Sequence, residues 1–264
     1  MRSHASSNSG CVGAVRAAAL ACGFALLAGH PAIAQELDLD DLENRADYAY
    51  FTADAKSLRT LIREAQSASS KGSADKMTRY VLGFAQYRLG QLLAKSQGSE
   101  AAKAMDACID ELDEAIEADE AFAEALALQS ACHGQLAALR TLSAMRHGPK
   151  SGARIEKALE LAPRNPRVVL LDALGDYGRP KAFGGDKARA LDKLRQAAEL
   201  FDKADEEAAS LPGWGHADAL AALGRSLYES GDLLGARNAL ERALILAPDF
   251  AAARELLARV TATR

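Results

Sequence analysis

The chain has 264 residues, of which 49% are hydrophobic and only 5% aromatic, with alanine and leucine carrying most of the apolar content. That composition favours stacked helices over a β-rich core, and Gly and Pro fall between apolar-periodic segments instead of interrupting them. A formal charge of −4 with no cluster of lysine or arginine argues against nucleic acid, whose phosphates demand a basic stripe.

Residues 1–34 read as a secretory signal peptide. Arg2 and Arg16 make a basic start, Ala17 to Ala28 is almost wholly apolar, and Ala32-Ile33-Ala34 offers a small-x-small cleavage site before Gln35. The apolar run is too short to span a bilayer, and nothing later has eighteen uninterrupted apolar residues, so no membrane span is expected. Ala19-Leu20-Ala21-Cys22 loosely matches a lipobox, but only five apolar residues separate Cys22 from Arg16. Cleavage removes two arginines and no acid, taking the formal charge from −4 to −6. The mature chain, 35–264, is expected to be exported and periplasmic. Its two cysteines, Cys108 and Cys132, either form one bridge or are small buried packing residues.

Past an acidic lead-in at 35–42, apolar residues recur at helical spacing in successive stretches. Tyr48, Phe51, Leu58, Leu61, Ile62 and Ala65 define a first helical pair near 42–68, turning at Ala53-Asp54. A polar connection at 67–74 leads to a second pair near 75–118. Its first helix carries Met77, Tyr80, Val81, Phe84, Tyr87, Leu89 and Leu92, and its second Met105, Cys108, Leu112, Ala115 and Ile116. A third pair, near 123–163, runs through Leu126, Cys132, Leu136 and Leu139 to about Met145, turns at His147-Gly148-Pro149 and returns from Ser151 to Ala162. A fourth pair, near 166–202, opens on Asn165-Pro166 and carries a loop at 177–186. Leu211 to Gly215 is a linker.

The fifth stretch, 217–250, forms two short amphipathic helices joined at Gly231-Asp232 and stopped at Pro248. Counting Ala217 as the first of 34 positions puts Gly224 at 8, Ala236 at 20, Leu240 at 24, Ala243 at 27 and Pro248 at 32. This spacing resembles the tetratricopeptide (TPR) helix-turn-helix repeat, in which small residues let the two helices approach closely. The alanines matching position 27 are Ala65, Ala115, Ala158, Ala197 and Ala243, at intervals of 50, 43, 39 and 46 where a plain array gives 34. In the second pair either Gly83 or Gly90 takes position 8, with thirteen or six extra residues. The resemblance implies an all-α, right-handed superhelical solenoid of about five antiparallel pairs with lengthened helices and loops, capped by a helix at 251–264. HEAT-like pairs, with periods near 40, are the competing fold.

No constellation supports catalysis, a cofactor or a metal. His133, His147 and His216 show no compact ligand spacing. Gly148-Pro149-Lys150-Ser151-Gly152 lacks the order of a phosphate loop, and no carboxylate pair has a visible cleft. The TPR resemblance implies a non-enzymatic scaffold that binds a protein or peptide in its concave groove. Groove-facing candidates are Asp218, Ala221, Arg225, Tyr228 and Glu229 in the fifth pair, and Tyr80, Phe84 and Tyr87 in the second, where the aromatic pair either anchors a partner or packs in the core. The alternative is a small-ligand or substrate-binding accessory of an envelope transport or assembly system.

Overall fold

The computed structural model describes residues 38–69, 75–204 and 212–262. The leader inferred at 1–34 lies outside them. Regular structure among the described residues is helical: α1 (Leu39–Phe51), α2 (Ala55–Ser69), α3 (Lys76–Leu93), α4 (Gly98–Ala118), α5 (Ala123–Leu139), α6 (Ala144–Leu161), α7 (Pro166–Gly178), α8 (Lys187–Ala204), α9 (His216–Ser230), α10 (Leu233–Leu246) and α11 (Ala251–Ala262). Successive helices pack as the pairs α1–α2, α3–α4, α5–α6, α7–α8 and α9–α10, with α11 laid against α10. This is the helical solenoid that the apolar periodicity implies.

Short polar side chains start many of these helices by accepting the free amides of the first turn. Asp38 accepts from Asp41, Asp54 from Lys56 and Ser57, and Asp75 from Met77 and Thr78. Asn165, followed by Pro166, accepts from Arg167 and Val168; Asp186 does so from Ala188 and Arg189, and Asp232 from Gly235. Each such cap contributes about 1 kcal/mol. Gly231, at φ 89°, ends α9 in the left-handed region that lets α10 turn straight back.

The seam inside a pair depends on side chains too small to hold two helices apart. A Cβ on Gly224 would sit 2.6 Å from Leu240 Cγ and 3.2 Å from the Ala236 carbonyl oxygen. The second pair repeats this arrangement, with Gly83 against Leu112 and the Cys108 carbonyl. Two turns further along, Gly90 meets Met105 and the Ala101 carbonyl in the same way. α3 and α4, at 18 and 21 residues against 15 and 14 in α9 and α10, are longer by about one turn and two turns, and two glycines of α3 meet the seam.

The third pair departs from the expected boundaries. α5 ends at Leu139, a 3₁₀ turn occupies Thr141–Ser143, and α6 begins at Ala144, so His147, Gly148 and Pro149 lie inside a helix and not in a turn. Pro149 sits near the start of α6, where Met145, Gly148, Pro149 and Lys150 are all exposed and water can serve the carbonyl it leaves unbonded. Cys108 of α4 and Cys132 of α5 are joined, with S–S 2.06 Å and Cα–Cα 6.5 Å, and both are fully buried. The bridge therefore ties the second pair to the third.

Candidate functional site

α3 is buried on nearly every side, and its inward surface is where distant parts of the chain meet. Arg88 is its centre, with only 1% of its side chain exposed. Nε and Nη2 donate to Asp47 Oδ1 of α1, at 2.9 and 2.5 Å. Nη1 and Nη2 donate to Asp218 of α9, at 2.8 and 2.7 Å, and Nη1 also reaches Gln91 Oε1 at 3.3 Å. All five guanidinium hydrogens are thereby used, the condition under which a buried arginine is tolerated. The cation also lies 4.2 Å from the Tyr50 ring centroid and 4.8 Å from that of Phe84.

The segment before α9, expected to be a linker, instead seals this surface. Trp214 stacks on Phe84 with ring centroids 4.8 Å apart and donates its indole N–H to the Tyr80 hydroxyl at 2.8 Å. Gly213 N donates to Glu43 Oε1 of α1 at 2.6 Å. Phe250, ahead of α11, packs against Phe51 and Tyr50 at 4.5 and 5.9 Å. Pair five therefore closes back on pairs one and two.

Burial sets the electrostatics here. It lifts the Asp47 carboxyl to about 7, opposed by Arg88 and reinforced by the Asp218 charge. It also raises Glu43, whose Oε2 has no hydrogen-bond partner, against the pull of the Gly213 amide. Tyr50 is pushed up to about 12, again by burial. One arginine thus faces more carboxyl groups than it can neutralise in a dry setting.

Of the residues expected in an open groove, Tyr80, Phe84 and Tyr87 are buried, at 0%, 0% and 3% exposure. Their rings are occupied by Trp214, Phe122 and the chain's own helices, so the surface they were expected to present is covered. Asp218 is engaged by Arg88, and Ala221 is buried. Arg225 is exposed and Tyr228 half-buried on α9, with Glu229 beside them and Tyr177 of α7 within hydrogen-bond reach. Tyr177 donates its hydroxyl to Glu229 at 2.5 Å and shares a hydrogen bond with Arg225, and Lys187 reaches Glu229 at 2.7 Å. These side chains keep partial access to solvent.

The α7–α8 connection is pinned separately. Asp176, buried, accepts from Arg189 Nε and Nη2, both at 2.6 Å, and from Lys193 at 2.7 Å. Burial would raise its pKa, and these hydrogen bonds outweigh that, leaving it lowered. On the outer side, His133 and His147 bring their Nδ1 atoms to 2.9 Å. Beside them a cavity of about 250 Å³ is lined by Asp113, His133, Lys150, Ala153, Arg154 and Lys157. Among the described residues no three His, Cys, Asp or Glu side chains converge as a metal would require, and no helix is long and apolar enough to cross a membrane.

Sequence reasoning missed Arg88 and Trp214. The available signal was an arginine inside a run, Tyr80 to Leu93, that is apolar on every helix face, so no wet side remained for it.

The fold is that of a TPR-like helical solenoid. The chain is similar to TTC0263, a thermophilic TPR protein of Thermus thermophilus, with TM-score 0.58 and 15% identity over 85% of this chain and 100% of that one. It is also similar to the HusA haemophore of Porphyromonas gingivalis, with TM-score 0.57 and 22% identity over 74% and 96% of the two chains. No family profile and no curated protein sequence matches the chain.

Proposed function

We propose that this chain is an exported helical-repeat scaffold that holds a polypeptide segment against the open stretch of its inner face, between α7 and α9. The observation that carries this reading is the division of the inner surface. At α3 it is filled by the chain's own Trp214 and Arg88 contacts, and at Arg225, Tyr228, Tyr177 and Glu229 it is not. A cation among tyrosines is the kind of surface at which protein contacts concentrate. Export is supported by the ordered basic, apolar and Ala-x-Ala segments at 1–34 and by the Cys108–Cys132 bridge, since disulfides persist in oxidising compartments.

The test is affinity capture from an envelope extract with the mature chain and with Arg225→Glu/Tyr228→Ala. A polypeptide retained by the first and lost by the second, at unchanged melting temperature, supports the reading; equal capture by both removes it. Intact mass of the extracted protein tests export separately, because a chain still beginning at Met1 has not been processed.

A second reading, the small-ligand accessory, rests on the cavity beside His133. The likeness to a haemophore is one of fold and names no ligand for this chain. A small molecule retained in native mass spectrometry of source-purified protein would favour it over the first.

A further inference from the structure

Because the helices alternate in direction and the pairs stack in order, the connections inside the pairs emerge along one edge of the solenoid. Those of the third, fourth and fifth pairs lie at 140–143, 179–186 and 231–232. Large apolar side chains stand out from this edge with almost nothing beside them. Leu142 is 101% exposed, Met145 90%, Phe183 76% and Leu234 71%. The third and fourth pairs are direct neighbours, α5 packing on α7, so Leu142, Met145 and Phe183 belong to adjoining tips.

Cations surround these tips. Arg146, Lys150, Arg179 and Lys181 have no carboxylate partner among the described residues. Arg140, Lys187 and Arg189 are matched by Asp106, Glu229 and Asp176. Two further acids of the edge, Asp186 and Asp232, cap helices and keep their charge, but they are fewer than the four unmatched cations. The edge is therefore locally basic in a chain whose formal charge is −4.

The geometry points to this edge as a docking surface for an anionic lipid bilayer, with Leu142, Met145 and Phe183 entering the interface and Arg146, Lys150, Arg179 and Lys181 meeting the headgroup charge. These side chains stand on separate tips, each nearly uncovered, so each can enter a fluid interface singly. Apolar tips ringed by cations suit a surface that is apolar beneath and negative above. The inference does not depend on the inner-face reading, which concerns different residues.

Vesicle flotation tests it with the chain from Gln35 onward, which retains every described residue. The probes are vesicles of phosphatidylcholine alone and of phosphatidylcholine with about one-third phosphatidylglycerol. Binding to the anionic vesicles only is expected, weakened at about 1 M salt, where the Debye length is about 3 Å. Leu142→Ser/Met145→Ser/Phe183→Ser should lower the bound fraction roughly tenfold while keeping the circular dichroism melt, since these side chains pack on nothing. In a separate variant, Phe183→Trp, emission should shift to the blue on anionic vesicles, against a single native Trp that is already buried. Wild-type protein that stays off anionic vesicles, or a triple variant that binds as well as wild type, overturns the proposal. So does a triple variant that loses an envelope polypeptide while wild type ignores vesicles, which would give the edge to a protein contact instead.

Discussion

Arg88 and Asp218, 130 positions apart, share two hydrogen bonds, Nη1 to Oδ1 at 2.8 Å and Nη2 to Oδ2 at 2.7 Å. With Asp47 held on the other side of the same guanidinium, this contact joins α1, α3 and α9 at one point. Truncating the arginine leaves two poorly hydrated carboxyl groups facing each other. Arg88→Ala is therefore expected to cost about 3–5 kcal/mol in urea unfolding. Emission from Trp214, which stacks beside the cation, should move to the red before the helices melt.

Stability should respond to pH most strongly through two groups that oppose each other, with Glu43, raised by burial, adding to the first and His147, lowered by burial, to the second. Burial lifts Asp47 to about 7, and burial followed by the His147 and Lys150 charges lowers His133 to about 4. Between about pH 4 and 6.5 folded Asp47 holds a proton that the unfolded chain has released, so its contribution shrinks as pH rises. Over the same range the unfolded chain holds a proton that the folded His133 ring lacks, so that contribution grows. The wild-type urea midpoint is expected to vary little across this interval. Asp47→Asn should leave a midpoint that climbs with pH, and His133→Gln one that falls up to about pH 7.

The Cys108–Cys132 bridge spans 24 positions and joins two helix pairs. Closing a loop of that size restricts the unfolded chain by about 3 kcal/mol. Non-reducing peptide mapping of envelope-purified protein should find the cross-linked peptide. Reduction should lower the melting temperature, and Cys108→Ala/Cys132→Ala should match the reduced form because both sites are dry and small.

Gly224→Ala tests the seam of the fifth pair. Alanine favours a helix interior over glycine by about 1 kcal/mol. Its methyl group, however, would meet Leu240 Cγ at 2.6 Å, and such overpacking costs about 1–3 kcal/mol, so a net loss is expected in thermal unfolding. Gly148→Ala on the exposed start of α6, where nothing lies within 4 Å of the added methyl, should instead stabilise by about 0.5–1 kcal/mol.

Phe84→Ala is expected to cost about 3–5 kcal/mol of stability, the value for a fully buried aromatic, and to leave partner capture by the folded fraction unaltered. Lost capture at an unchanged melting temperature would restore Phe84 to a binding role.

The fifth pair was legible almost residue by residue, because Gly224, Ala236 and Ala243 report a local seam and Pro248 a local stop. The start of α6 was not, since Gly148 and Pro149 resemble a turn in sequence and only their exposure explains why a helix tolerates them. Closure of the inner face could not be read at all. The sequence shows α3 to be apolar on every side, but not that Trp214, more than a hundred residues later, covers it. Arg225 and Tyr228 stand on α9, the first exposed and the second half-buried.

The tie between α3 and α9 also changes how the molecule should fold. In an open array each repeat touches its neighbours alone, so the ends fray one unit at a time. Here the last pair cannot leave without uncovering Phe84 and stranding Arg88, and the first cannot leave without freeing Phe250. Unfolding should then be all-or-none across the five pairs. Refolding should be slower than helix-pair proteins of this length usually are, because its decisive contact waits for a loop of 130 residues to close.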